Sequence, residues 1–189
     1  MRTILTFGLA LMLPMSAWTQ TTATVVYREG RAVVDNAGNL LVFDEGRGTT
    51  GVTVTGLRHS FYAPSTRVTV QHPGTTANIQ TVTYDAALQV IGVGSSAIYA
   101  IATVYTVSGT SVTSTSTLIA IKGGQALPAA LSGFPSLALT SPVDARVGPS
   151  DYISLITEPD QTSTTTARTA RVVHFNGTSF DSTSSGTLP

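Results

Sequence analysis

"AIYAIATVYTVSGTSVTSTSTLIAIKGG", Ala97 to Gly124, holds two apolar runs joined by a Ser/Thr-rich middle. Neither "AIYAIATVYTV" (Ala97–Val107) nor "STLIAIKGG" (Ser116–Gly124) carries a sustained 3.6-residue hydrophobic period, which argues against an amphipathic helix. Both are rich in β-branched and flat side chains, which pack well on a pleated surface. The "VSGTS" between them supplies turn-forming Gly and Ser. The stretch reads as a hairpin of two long strands, apolar enough to lie centrally in the fold.

Shorter strand signals surround it. "TVVYREG" (Thr24–Gly30) and "RAVVD" precede "NLLVFD" and "GVTVTG" (Gly51–Gly56). "TRVTVQ" (Thr66–Gln71) puts Val68 and Val70 on one face and Arg67, Thr69 and Gln71 on the other, the period of two that strands require. "TVTYD" (Thr81–Asp85), "SLALT" (Ser136–Thr140), "YISLIT" (Tyr152–Thr157) and "ARVVHF" (Ala170–Phe175) complete the set. "HPGTT", "GFPS", "VGPSD" and "EPDQTS" sit between apolar runs as turns. The best helix candidate, "QALPAALSG" (Gln125–Gly133), is interrupted by Pro128 and reads as a loop with at most one turn. The expected fold class is all-β and antiparallel, built of repeated hairpins, with a β-sandwich as the alternative.

Composition bounds what such a protein does. At 189 residues the chain is long enough for one domain with a real core. Charged residues are 11% and formal net charge is zero. Lys122 is the single lysine and the arginines are scattered, so the clustered cations that nucleic acid needs are missing. No cysteine occurs, which excludes disulfides, thiol catalysis and thiolate metal sites. Arg2 followed by apolar Ile4–Met15 reads as an export signal, with cleavage after Ala17 or, in better keeping with a small-x-small pattern, after Ala23. Residues 1–23 are therefore assigned to a signal peptide and 24–189 to one mature domain. No second long apolar run follows, so no transmembrane segment is expected in the mature chain. The expected location is secreted, periplasmic or at the cell surface, and the absence of disulfides favours a bacterial setting.

Internal likenesses add to this. Ala97–Pro128 and Asp151–Pro189 each run apolar strand, Ser/Thr-rich tip, apolar strand, Gly turn and Leu-Pro, and Arg67–Gln89 is a shorter version. "TVTYDAALQ", "TLIAIKGGQ" and "RVVHFNGTS" align, and "LLVFDEGRG" (Leu40–Gly48) has the same shape. Over roughly Leu40–Pro189 these hairpins resemble blades of β-propellers, as in WD40-like, kelch-like and other secreted bacterial propellers. The chain lacks a Trp-Asp pair, the kelch double glycine with its paired aromatics and an FG-GAP calcium loop. The resemblance implies three or four blades, four being the smallest closed ring, with "TVVYREGRAVV" able to close a ring by pairing with the last unit.

Candidate chemistry is sparse. "RAVVDNAGNLLVFDEG" (Arg31–Gly46) concentrates Asp, Asn and Glu, but an EF-hand started at Asp35 places Ala37 at position 3 and Leu40 at position 6. A looser calcium site from Asp35, Asn36, Asn39 and Asp44 stays open beside the reading as a hairpin turn. His59, His72 and His174 show no ligand spacing, and His174 should face outward from its strand. Ser60 beside His59 lacks the G-x-S-x-G elbow of a hydrolase. Glu29, Glu45 and Glu158 sit beside turns, as solvated acids do, and "DSTSSG" at Asp181 is not an aspartic-protease motif. No phosphate-binding glycine loop occurs. Of the sugar-stacking aromatics, Trp18 falls in the signal segment, while Tyr99 and Tyr105 either face outward or pack in the core. "NGT" (Asn176–Thr178) is a formal glycosylation sequon, a plain turn in a bacterium. The tips "VSGTSVTSTST" and "DQTSTTTART" leave strand edges poorly guarded, which suits a protein partner or self-association. No catalytic or cofactor-binding residue is assigned and no cofactor is expected. The expected function is a non-enzymatic binding or structural module. The alternatives are a propeller fragment of a larger secreted hydrolase or lyase, and a self-assembling envelope or filament subunit.

Overall fold

The computed structural model describes residues 26–54, 57–71, 79–108, 111–140, 142–157 and 168–187. Twelve strands and two short 3₁₀ turns make up the described elements, with no α-helix among them. The strands form three four-stranded antiparallel sheets, each a meander of consecutive strands. Sheet I holds β1 (Val26–Val34), β2 (Leu40–Val54), β3 (Leu57–Gln71) and β4 (Gln80–Tyr84). Sheet II holds β5 (Ala87–Val93), β6 (Ile98–Ser108), β7 (Ser111–Ile121) and β8 (Ser136–Leu139). Sheet III holds β9 (Pro142–Val147), β10 (Tyr152–Thr157), β11 (Thr169–Phe175) and β12 (Phe180–Thr187). No described strand of one sheet pairs with a strand of another, so the sheets stack without closing into a barrel. The all-β antiparallel expectation holds, with three layers where a sandwich has two.

Burial explains the order of the layers. Sheet II lies between the other two and is covered on both faces. Toward sheet I it presents Ile98, Ala100, Ile119 and Ile121 against Leu41, Phe43, Val68 and Val70. Toward sheet III it presents Tyr99, Leu118 and Ala120 against Ile153, Leu155, Val173 and Phe175. This is why Ala97–Val107 and Ser116–Ile121 are nearly continuous in apolar residues, whereas Thr66–Gln71, covered on one face, alternates.

Among the described strands β1 pairs with β2 alone, at the edge of sheet I, and not with the last unit, the pairing by which the sequence could have closed a ring. "NLLVFD" and "GVTVTG" are one strand: β2 runs unbroken through Gly46, Gly48 and Gly51 because its whole length is laddered to β3. Of the aligned segments, "TLIAIKGGQ" and "RVVHFNGTS" occupy the third strands of sheets II and III, but "LLVFDEGRG" starts a second strand and "TVTYD" is a fourth. The "QALPAALSG" loop keeps only the 3₁₀ turn Leu131–Gly133. It is docked on β4, where Tyr84 Oη donates to the Pro128 carbonyl at 2.7 Å and the Gln80 side chain bonds both backbone groups of Leu127. The signal-peptide segment lies outside the described residues.

Candidate functional site

The β6–β7 hairpin sets the geometry. Its strands have eleven residues each. Tyr99 and Tyr105 stand on the same face of β6, toward sheet III, by the two-residue period. Sheet III covers the first and not the second: Tyr99 is 0% exposed and Tyr105 is 47% exposed. The sequence left these two tyrosines as alternatives between core and surface: Tyr99 packs in the core with Ile153, Leu155, Val173 and Phe175, and Tyr105 is half exposed.

A groove of about 900 Å³ opens between sheets II and III. Ile91, Ile101, Leu139 and Ala145 give it apolar surface, and these residues belong to or adjoin the core beneath. Thr103, Tyr105, Ser114 and Ser116 line it with hydroxyls. Cross-strand pairing places Thr103 opposite Ser116 and Tyr105 opposite Ser114, and the Thr103 and Ser116 hydroxyl oxygens are 3.0 Å apart. Gln89, on β5 between buried Leu88 and Val90, adds an amide.

Charge enters from the edge strands. Arg31 of β1 crosses from sheet I, and its Nη1 donates to the Val90 carbonyl at 3.0 Å. Asp144 and Arg146 of β9 are the other charged residues of the described lining. Their 3.4 Å contact is between largely exposed groups, so solvent screens it to little net energy. The groove thus holds two guanidinium groups and one carboxylate.

A second polar cluster joins the same two sheets without lining the groove. Asp151, 6% exposed, ends the turn that leads into β10, where it and Ser150 have φ of 61° and 53°. Tyr99 Oη donates to Asp151 Oδ1 at 2.8 Å, and the Ser96 hydroxyl donates to Oδ2 at 2.8 Å. Burial pushes the Asp151 carboxyl up, but the bonds from Tyr99 and Ser96 outweigh it and hold the group below the ordinary value of 3.8. Burial, and then the bond to Asp151, push the Tyr99 phenol well above its ordinary range. Both oxygens of the carboxylate are occupied by protein donors, so its chemistry here is that of a joint between sheets.

The acidic loop separates into different tasks. Asp35 Oδ1 accepts from the Ala37 and Asn39 backbone N–H groups, and Oδ2 accepts from the Asn39 amide at 2.7 Å. Gly38 takes φ 81°, as a tight turn needs. Asn36 reaches the Gly94 carbonyl of sheet II, and Asp44 pairs with Arg67 at 2.7 Å on the face of sheet I turned away from sheet II. Among the described residues no three His, Cys, Asp or Glu gather as metal ligands do.

His174 lies on the face of sheet III turned away from sheet II, stacked on Tyr152 with ring centroids 4.6 Å apart. His59 and Ser60 fall in β3, with side chains outside the description, and His72, Glu158 and Trp18 lie outside the described residues. The Glu29 side chain is likewise undescribed, while Glu45 lines a smaller cavity of about 320 Å³ between sheets I and II. Asn176 spends its side chain on a turn, its Oδ1 accepting from the Thr178 and Ser179 backbone, and its Nδ2 donates to Asp181.

The groove residues Gln89, Thr103, Ser114 and Ser116 escaped sequence reasoning because hydroxyl and amide residues at strand spacing carry no motif. The one available signal was parity: Thr103 shares a face with Tyr99 and Tyr105. Compared with known proteins, the chain matches no family model, no curated protein and no solved structure.

Proposed function

We propose that the chain is a secreted, non-enzymatic binding module built from three propeller-type blades, with the groove between the second and third as its binding place. The groove of about 900 Å³ carries this reading, since ligand sites are concave, partly apolar and furnished with a few polar groups. Its described lining offers hydroxyls, an amide and two arginines but no histidine and only one acid, Asp144. Acid–base hydrolysis of a glycosidic bond asks for two converging acids, and this lining supports recognition better than turnover. The blade reading is supported by the four-stranded meanders and by the way their first strands lean together. Arg31 of β1 bonds to β5, and a side chain added at Gly92 of β5 would come within 2.8 Å of Val147 in β9. Export is supported by the apolar Ile4–Met15 behind Arg2.

A fluorophore on a Ser114→Cys variant tests the binding reading. Envelope polymers that enter the groove should change its emission, while the same label on Thr81→Cys, on the far face of sheet I, should stay constant. A panel of such polymers that leaves both labels unchanged would sink the reading. Amino-terminal sequencing of the protein from a culture tests export, the expected start following Ala17 or Ala23; a full-length chain retained inside the cell contradicts it.

A further inference from the structure

We infer that the groove between sheets II and III takes a carboxylate-bearing oligosaccharide, an inference that rests on the binding-module reading above and names its ligand class. A sugar presents hydroxyls that both donate and accept. The side chains of Thr103, Ser114 and Ser116 do the same, as does the Gln89 amide. Tyr105 is held on a strand rather than a loop, half exposed at the groove, so its ring offers a flat surface for the C–H face of a pyranose. The apolar floor of Ile91, Ile101 and Leu139 suits the same C–H surface.

Charge selects among sugars. The groove's described lining holds Arg31, Arg146 and one acid, Asp144, a surplus of one positive charge within a chain whose formal net charge is zero; Glu45 meets Arg31 only in the smaller cavity between sheets I and II. Arg31 is exposed yet fixed at one nitrogen by the Val90 carbonyl, which orients the guanidinium before a ligand arrives. A planar guanidinium pairs with a carboxylate in a two-point geometry that a hydroxyl cannot match. One surplus cation fits an isolated carboxylate on a sugar better than a dense phosphate backbone, which needs many.

Amide NMR titration of the secreted chain with tetragalacturonate, and separately with maltotetraose, tests this. Tetragalacturonate should shift the amides of Gln89, Thr103, Tyr105 and Ser116, and its binding should weaken as salt rises. Arg31→Gln should weaken it about tenfold, the effect of losing one charge-assisted contact. Tyr105→Ala, at an exposed position, should weaken both sugars similarly. Tetragalacturonate that leaves the groove amides unmoved overturns the inference. So does maltotetraose binding as tightly, or Arg31→Gln binding as wild type does. Should the Ser114→Cys label respond to some other polymer while tetragalacturonate fails, the ligand class falls and the binding module stands. If the label also stays silent, both fall.

Discussion

The Tyr99 hydroxyl donates to Asp151 Oδ1 at 2.8 Å, linking the second strand of sheet II to the turn that begins β10 in sheet III. Ser96 holds the other carboxylate oxygen. Removing the acceptor therefore costs more than removing one donor. Asp151→Ala strands the buried Tyr99 hydroxyl and should destabilise by about 2–3 kcal/mol. A further ~1–2 kcal/mol follows from placing Ala at a left-handed φ that Asp and Asn tolerate better. Tyr99→Phe leaves Asp151 with Ser96 and should cost about 1 kcal/mol. Urea denaturation of the two variants beside Asp151→Asn checks the order, and equal losses for Asp151→Ala and Tyr99→Phe would contradict the joint.

The same pair sets a pH window. The Asp151 pKa is lower folded than unfolded, so the unfolded chain binds more protons near pH 3.8. The stability it contributes is present above that pH and is lost as pH falls through the folded value. Tyr99 runs the other way. Its pKa is raised on folding, so its contribution is complete below pH 10 and shrinks as pH climbs above 10. Tyr84, pushed up to about 12 by burial, steepens the same alkaline limb. Melting temperature measured against pH should show both limbs, and Asp151→Asn should flatten the acid one.

Packing around the joint is close enough to exclude a methyl group. A Cβ at Gly94 would collide with the Asp151 carboxylate and come within 2.6 Å of the Tyr99 ring. Gly94→Ala should therefore destabilise by about 2 kcal/mol or more, a typical cost of overpacking. At Gly186 an added Cβ meets nothing within 4 Å, and Gly186→Ala should stay within about 0.5 kcal/mol of wild type. Thermal melts of the two variants make the comparison.

The legibility of the fold follows burial. Every strand with a neighbour on each side in its sheet was read from sequence, as Ala97–Val107 and Tyr152–Thr157 were, and so were the edge strands β1, β4 and β8. Those that went unread, β5, β9 and β12, are all edge strands. β9 begins at Pro142 and carries Asp144 and Arg146, and β12 is mostly Ser and Thr from Asp181 onward. An edge tolerates proline and charge because half of its backbone faces no partner, so the hydrophobic alternation fades there. The groove was illegible for a related reason. It is lined by residues brought together from β1, β5, β6, β7, β8 and β9, a relation between elements that no local window of residues records.

Two-sided burial of sheet II makes a prediction that a one-sided sheet would not. Leu118 and Ile119 are adjacent, both 0% exposed, and belong to opposite cores. Leu118→Ala and Ile119→Ala should each cost about 2–5 kcal/mol. In sheet I the neighbours Val68 and Thr69 should differ. Val68→Ala empties core space for about 2 kcal/mol, whereas Thr69→Ala removes a hydroxyl that meets Thr81 on the exposed face and should cost less than ~1 kcal/mol. Chemical denaturation of the four variants checks this, and a small loss at either Leu118 or Ile119 would mean that one face of sheet II is open.

Thr66 offers the sharpest test of how sheets I and II are joined. It is fully buried, and its hydroxyl acts in both directions: Oγ1 donates to the Ala86 carbonyl at 2.8 Å and accepts from the Leu88 N–H at 3.2 Å. Those two backbone groups lie where the chain leaves β4 and enters β5, so one side chain of sheet I satisfies the start of sheet II. Thr66→Val keeps the shape and removes both bonds, leaving a buried donor and acceptor without their partner, at about 1–3 kcal/mol for each group left unsatisfied. Thr66→Ser keeps both bonds and gives up one methyl, for about 1 kcal/mol. Valine should therefore be clearly worse than serine, although it is the better strand former and the more apolar residue. Hydrogen exchange locates the effect, since the Leu88 amide should lose protection in Thr66→Val and retain it in Thr66→Ser. Equal stability of the two variants would mean that apolar contact alone joins the sheets there.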